Sequence, residues 1–289
     1  MLEYKPKMSK SNFNVTEHSH GKRFLKFIGA IFLLSVLVLF ALNFIAGVIA
    51  NKIPPKLEQS LYANFKWSSL HGGETMKDEK EGPRKLIKDL VARLDSHIPK
   101  TEDSYKVSSD LVCMKMANAF AAAGGRIYVT SGLFRTVRSE NGLAFILAHE
   151  LGHVYLRHNS KSLISGLLKG FFVGLMGGGN SQEYFELLSG FSDLKFDRDA
   201  ERQADEFAVN LVLKEYGHLG GSDEMFVGLQ EEMAGKEDFL EKYPIFSTHP
   251  ATQDRIDFIR KRLPNGEYDL RSMPEEFNTV NSYCQNLEK

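Results

Sequence analysis

The stretch 144-AFILAHELGHVYLRH-158 sets two histidines and a glutamate into an otherwise apolar run. Leu143, Phe145, Ile146, Leu147, Ala148, Leu151, Val154 and Leu156 cover nearly every side of a helix, so the segment reads as a buried one. An imidazole left without a partner there costs about 1–3 kcal/mol. His149, Glu150 and His153 therefore need hydrogen-bond partners or a metal. Their order is H-E-x-x-H. Positions four apart on a helix differ by about 40° in azimuth and about 6 Å in height, so both imidazoles reach one ion. Glu150 points elsewhere and is set to hold a water rather than to bind the ion.

A catalytic zinc takes three protein ligands and keeps one position open. The segment 197-DRDAERQADEFAVNLV-212 offers the third. In helical phase, Glu201, Ala204, Asp205, Ala208, Leu211 and Val212 share one stripe, while Asp199, Arg202, Gln203, Glu206 and Asn210 take the other face. Two carboxylates thus point to the apolar side and want a cation or donors. Glu201 can take the metal, and Asp205, one turn on, can accept the free N–H of a ligand histidine. One Zn2+ per chain is expected.

The 289 residues carry a formal net charge of −1, with 43% hydrophobic and 25% charged residues, a composition without the basic bias that nucleic-acid binding requires. Residues 27–50, FIGAIFLLSVLVLFALNFIAGVIA, contain no charge. At about 1.5 Å per residue they suffice to cross a hydrocarbon core of about 30 Å. The run exceeds the apolar core of a signal peptide, so an uncleaved anchor is favoured over a cleaved leader. Lys5, Lys7, Lys10, Lys22, Arg23 and Lys26 precede it, and only Lys52, Lys56 and Lys66 follow within twenty residues. That asymmetry predicts a single-pass protein with a cytoplasmic N-terminus, and in a Gram-negative cell an inner-membrane protein whose large domain faces the periplasm.

The expected organisation is a cytoplasmic tail over 1–23, an anchor over 24–50, a linker and start of the ectodomain over 51–82, and a domain built around the zinc motif over 83–289. Helices are expected at about 83–96, 140–158, 161–176, 197–216, 223–234 and 251–262, with a strand over Arg126–Thr130 in a small antiparallel sheet. The run 163–179 reads as core packing or a flap over the site, and His71, His97, His158 and His218 as solvated or capping residues. Cys113 and Cys284 form no C-x-x-C pair, and a disulfide or two buried thiols are equally compatible with the sequence.

H-E-x-x-H, then E-x-x-x-D, the upstream 118-NAFAAAGGRIYVTSGLF-134 and the downstream 247-STHPATQDRI-256 recur in this chain order over about 83–262. Together they resemble the gluzincin family of HtpX, the BepA and LoiP type proteases, the mitochondrial Oma-type protease and the CAAX prenyl protease. The resemblance implies an α+β, mostly helical zincin domain behind one transmembrane helix, acting as a zinc endopeptidase at a membrane. On it, His149, His153 and Glu201 bind zinc, Glu150 is the general base and Asp205 stands behind a ligand. His249 donates to the oxyanion, while Arg255 orients that histidine or pairs with a carboxylate. The strand Arg126, Ile127, Tyr128, Val129 resembles the edge strand that pairs with extended substrate, with Asn118 near the cleft. Protein or peptide substrates in extended conformation follow, with misfolded or envelope proteins as the expected class. A membrane chaperone or scaffold that keeps the zinc fold without catalysis is the alternative. A complete Glu150 argues against it, because a scaffold needs ligands but no base.

Overall fold

The segment 140–158 becomes the helix around which the catalytic unit is built. In the computed structural model, the described residues are 20–63, 74–75, 82–175, 198–233, 249, 253–263, 266–275, 277, 280 and 284. Expectations for residues 1–19, His71 and 176–179 lie outside them. The chain divides into two compact units, Met1–Phe44 and Ile45–Lys289. Helix α1 (His20–Lys52) supplies the described part of the first and enters the second. Gly21–Lys52 is long and apolar enough to cross a membrane, and Phe24, Phe32, Leu34 and Phe40 stand exposed along it.

In the second unit, α2 (Pro55–Tyr62) starts on the stiff Pro54–Pro55 exit, with Pro54 as N-cap. A two-residue β1 (Glu74–Thr75) and helix α3 (Gly82–Ser96) precede strands β2 (Ser108–Cys113), β3 (Ala119–Ala122) and β4 (Arg126–Thr130). Next come α4 (Glu140–Tyr155), α5 (His158–Leu175), α6 (Arg198–Tyr216), α7 (Glu224–Met233) and α8 (Gln253–Arg260). Thirteen consecutive residues of α4, Gly142–Val154, are buried, as a helix greasy on all sides must be. Ser139 caps its start by accepting from the Gly142 N–H at 3.0 Å. Helix α6 crosses α4 closely at Gly152, where an added Cβ would lie 3.1 Å from Ala204 Cα and 3.3 Å from Phe207 Cβ. The glycine of H-E-L-G-H is thus a contact point between the two helices that carry the site.

The sheet is mixed, with order β1-β2-β4-β3, rather than antiparallel as expected. The tight turn at Gly124 (φ 83°) and Gly125 (φ 77°) forces β3 and β4 into an antiparallel hairpin. Residues 114–118 carry the chain past the neighbouring slot, so β4 returns to lie parallel to β2, from Ser108↔Arg126 to Val112↔Thr130. The expected edge strand is corrected with it. β4 is hydrogen-bonded on both sides, with Ile127, Tyr128 and Val129 buried, and among the described residues the free edge on this side belongs to β3.

Two further ties bear on the site. Glu58 on α2 is 3% exposed and accepts from Gly124 N (2.8 Å), the Tyr105 hydroxyl (2.7 Å) and the Arg157 guanidinium (3.0 Å), so α2 grips both the hairpin turn and the end of α4. Cys113 and Cys284 are joined as a disulfide, which settles the choice the sequence left open.

Candidate metal centre

α4 brings His149 and His153 to one face, with their Nε2 atoms 3.0 Å apart. α6 presents Glu201 opposite, its oxygens 3.5 Å from His149 Nε2 and 3.5 Å from His153 Nε2. Three ligands on a tetrahedral ion with bonds of about 2.0–2.2 Å sit about 3.3–3.5 Å from one another. The two histidine–glutamate separations match such an ion, each through a different Glu201 oxygen, and the 3.0 Å between the histidine nitrogens is shorter. Charge agrees: Glu150, Glu201 and Asp205 are three buried carboxylates against one buried guanidinium, Arg255, leaving two negative charges for a divalent cation to neutralise. His249 joins the same cluster, its Nδ1 2.9 Å from Glu201 Oε1 and 3.4 Å from His149 Nε2.

Asp205 lies beside the same histidine, its Oδ1 2.9 Å from His149 Nδ1. Arg255 pairs with carboxylates: Nε and Nη2 fork onto Asp205 at 2.7 and 2.8 Å, and Nη1 meets Glu201 at 2.7 Å. Of the two expected roles, these contacts are those of carboxylate pairing. Glu150 reaches to β3, where Ala121 N donates to its Oε2 at 2.7 Å, while Oε1 lies 3.6 Å from His249 Nε2. The outer edge of β3 is thereby held directly against Glu150. Asn118 is buried just before β3, its backbone paired with Thr130.

Sequence reasoning missed one neighbour of the cluster. His158 is buried, with Nδ1 3.0 Å from His153 Nδ1. His97 and His218, expected as solvated, are partly buried: His97 contacts Glu215 at 2.8 Å, and His218 accepts from Gly220 N and stacks on Tyr268.

Burial pushes the Glu150 carboxyl above its ordinary value, against the pull of His249, His149 and Ala121 N–H, which suits a proton acceptor working near neutrality. Burial also opposes ionisation of Glu201 and Asp205, but His249, His149 and His153 around the first, and Arg255 and His149 around the second, hold both below the carboxylate range. His149 behaves oppositely without metal: burial disfavours its charge, yet Asp205 and Glu201 raise it from 6.5 to about 9. A raised histidine stabilises fully below its unfolded value, and that stability is lost as pH rises through the folded one. Tm of chelator-treated protein should therefore fall between pH 6.5 and pH 9. Zinc saturation should flatten the slope, since ligation requires the neutral ring. A metal-free Tm that is flat or rising across this window would contradict the assignment.

A helix bearing H-E-x-x-H, a glutamate from a second helix completing the donor set, and a buried carboxylate beside it define a metallopeptidase centre. Residues 79–263 match Peptidase family M48, and the chain belongs to that family. The metalloprotease YcaL of Escherichia coli is 28% identical over 214 residues, covering 71% of this chain and 80% of the relative. The mitochondrial metalloendopeptidase OMA1 of Saccharomyces cerevisiae is 27% identical over 155 residues, 51% of this chain and 44% of its own length. A putative beta-barrel assembly-enhancing protease of Vibrio cholerae is 28% identical over 160 residues, 50% of this chain and 32% of that protein. The chain thus spans most of the first relative and less than half of the other two.

Proposed function

We propose that this chain is a membrane-anchored zinc endopeptidase that hydrolyses peptide bonds in misfolded or envelope proteins as part of quality control. The observation that carries the reading is the placement of Glu150, buried beside the donor triangle and tied through Ala121 N to the free edge of the sheet. An extended peptide adding to the outer side of β3 meets the base as it binds, which supports β-augmentation on β3 rather than on the expected β4. Asn118, at the start of that edge, lines the same approach.

When bound, zinc lowers the pKa of water towards about 7 and polarises the scissile carbonyl. His149, His153 and Glu201 would hold the ion, and Asp205, its Oδ1 2.9 Å from His149 Nδ1, backs that ring. Glu150 takes the proton of the attacking water on Oε1, the oxygen not held by Ala121, and passes it to the leaving amine. His249 offers a ring N–H to the carbonyl oxygen as charge gathers there. Arg255 keeps Asp205 and Glu201 ionised, which holds both in their accepting and ligating forms.

The apolar α1 and the lysine asymmetry around it support a single-pass inner-membrane anchor with the catalytic unit in the periplasm. The Cys113–Cys284 disulfide agrees with an oxidising compartment. A quality-control role draws on the relative named for β-barrel assembly. Full-length protein purified in detergent should hold one zinc per chain, lose casein cleavage on chelation, and regain it with added zinc. Folded protein devoid of zinc by elemental analysis, and unresponsive to it, would refute the proposal.

A further inference from the structure

We propose that His158 is a positioning residue that locks His153 into its metal-binding tautomer, an inference resting on the reading of His153 as a ligand. A straight continuation of α4 would carry position 158 about 140° away from 153, beyond reach. The chain does not continue straight. α4 stops at Tyr155, Leu156 N closes it onto Gly152 O at 2.9 Å, and Arg157 adopts φ 62°, the left-handed region that favours glycine. Among the described residues, no other non-glycine has a positive φ.

That conformation has a visible result. It starts α5 with His158 folded back under α4, its Nδ1 3.0 Å from His153 Nδ1 and the two rings 5.0 Å apart at 68°. The strained residue is itself held down, its guanidinium on Glu58 at 3.0 Å and over the Tyr105 ring. Strain that the surroundings maintain at a site marks a geometry the site uses.

The hydrogen bond has one useful polarity. His153 Nε2 faces His149 Nε2 and Glu201, so its lone pair must point there and its proton must sit on Nδ1. The His153 ring is fully buried, so bulk water cannot accept that proton. His158 Nδ1 accepts it when His158 carries its own proton on Nε2. The two ligands are thus backed differently, His149 by the Asp205 carboxylate and His153 by a neutral ring. Charge gives the reason. In the donor cluster Glu150, Glu201 and Asp205 already exceed Arg255 by the two charges of a divalent ion, and a carboxylate at 158 would add a further negative charge beside His153.

The test compares His158→Asn, whose Oδ1 takes the place of Nδ1, with His158→Phe, which fills the same space without an acceptor. Zinc affinity of the full-length protein in detergent is read by competition with a chromophoric chelator. His158→Phe should bind zinc about 10–100-fold more weakly, and His158→Asn should stay close to wild type. Circular dichroism of the metal-free forms checks folding, and His158→Leu replaces the phenylalanine variant should that ring not be accommodated. Wild-type affinity in the folded non-acceptor variant, or equal weakening in it and in His158→Asn, would overturn the positioning role. His153→Ala separates the two readings: if it binds zinc as wild type does, the ligand assignment itself fails. Loss of zinc by His153→Ala with no change in His158→Phe rejects only the present inference.

Discussion

Replacing Glu150 with Gln should abolish cleavage of an unfolded protein such as casein while leaving zinc content unchanged. The substitution keeps the shape of a side chain that is 1% exposed, and its amide oxygen can still accept from Ala121 N. What it removes is the ability to take a proton. General-base catalysis contributes about 10²–10⁴ in rate, or about 3–5 kcal/mol of barrier. The metal should stay, because in the proposed assignment the donors are His149, His153 and Glu201, while Glu150 is tied to β3 through Oε2. The measurement is kcat beside elemental analysis on the same preparation. Activity within tenfold of wild type would move the base elsewhere, and a parallel loss of zinc would make Glu150 a ligand. The same variant compared with wild type in cells, by proteomics of newly formed N-terminal peptides, would show which proteins are cut.

Arg255→Leu should cost the metal-free enzyme much of its stability. The residue is 7% exposed and pairs with two carboxylates, Asp205 through a two-bond fork and Glu201 through Nη1. Breaking a buried pair by removing one partner costs about 3–5 kcal/mol, because the other charge remains buried. For a domain of this size each kcal/mol shifts Tm by about 2–4 °C, so a fall of about 6–20 °C is expected. Zinc should recover part of it, since the ion also balances Glu201. Arg255→Lys should fail to restore full stability, because a point-like ammonium cannot reproduce the fork onto Asp205. A metal-free Tm within 2 °C of wild type would show that the carboxylates are neutral or otherwise compensated.

Much of the metal centre was legible because its signals are local. H-E-x-x-H lies within one helical turn, and helical phase placed Glu201 and Asp205 on the apolar stripe of α6, where the structure has them buried. The helices follow the same logic, from α3 to α8, with ends shifted by a few residues. What escaped depends on contacts distant in sequence or on a broken local rule. The alanine-rich 119-AFAA-122 carries little strand propensity, and its position outside β4 follows from the path of residues 114–118, which no periodicity records. His158 was judged by extrapolating a regular helix through Arg157, the residue at which the helix ceases to be regular. The cysteine pairing needed the spatial approach of two residues 171 apart. The role of Glu58 was invisible for the same reason, because its partners come from three separate segments.

The bond between Cys113, at the end of β2, and Cys284 closes most of the catalytic unit into a covalent ring. For a peptide-bond hydrolase this matters when the chain becomes its own target. One cut anywhere between the two cysteines opens the ring without separating its halves, so the donors from α4 and from α6 remain on a single molecule. Neither fragment can diffuse away until a reductant reaches the sulfurs, and Cys113 and Cys284 are both buried. A nicked enzyme therefore runs as one covalent chain under non-reducing denaturing conditions and as two after reduction.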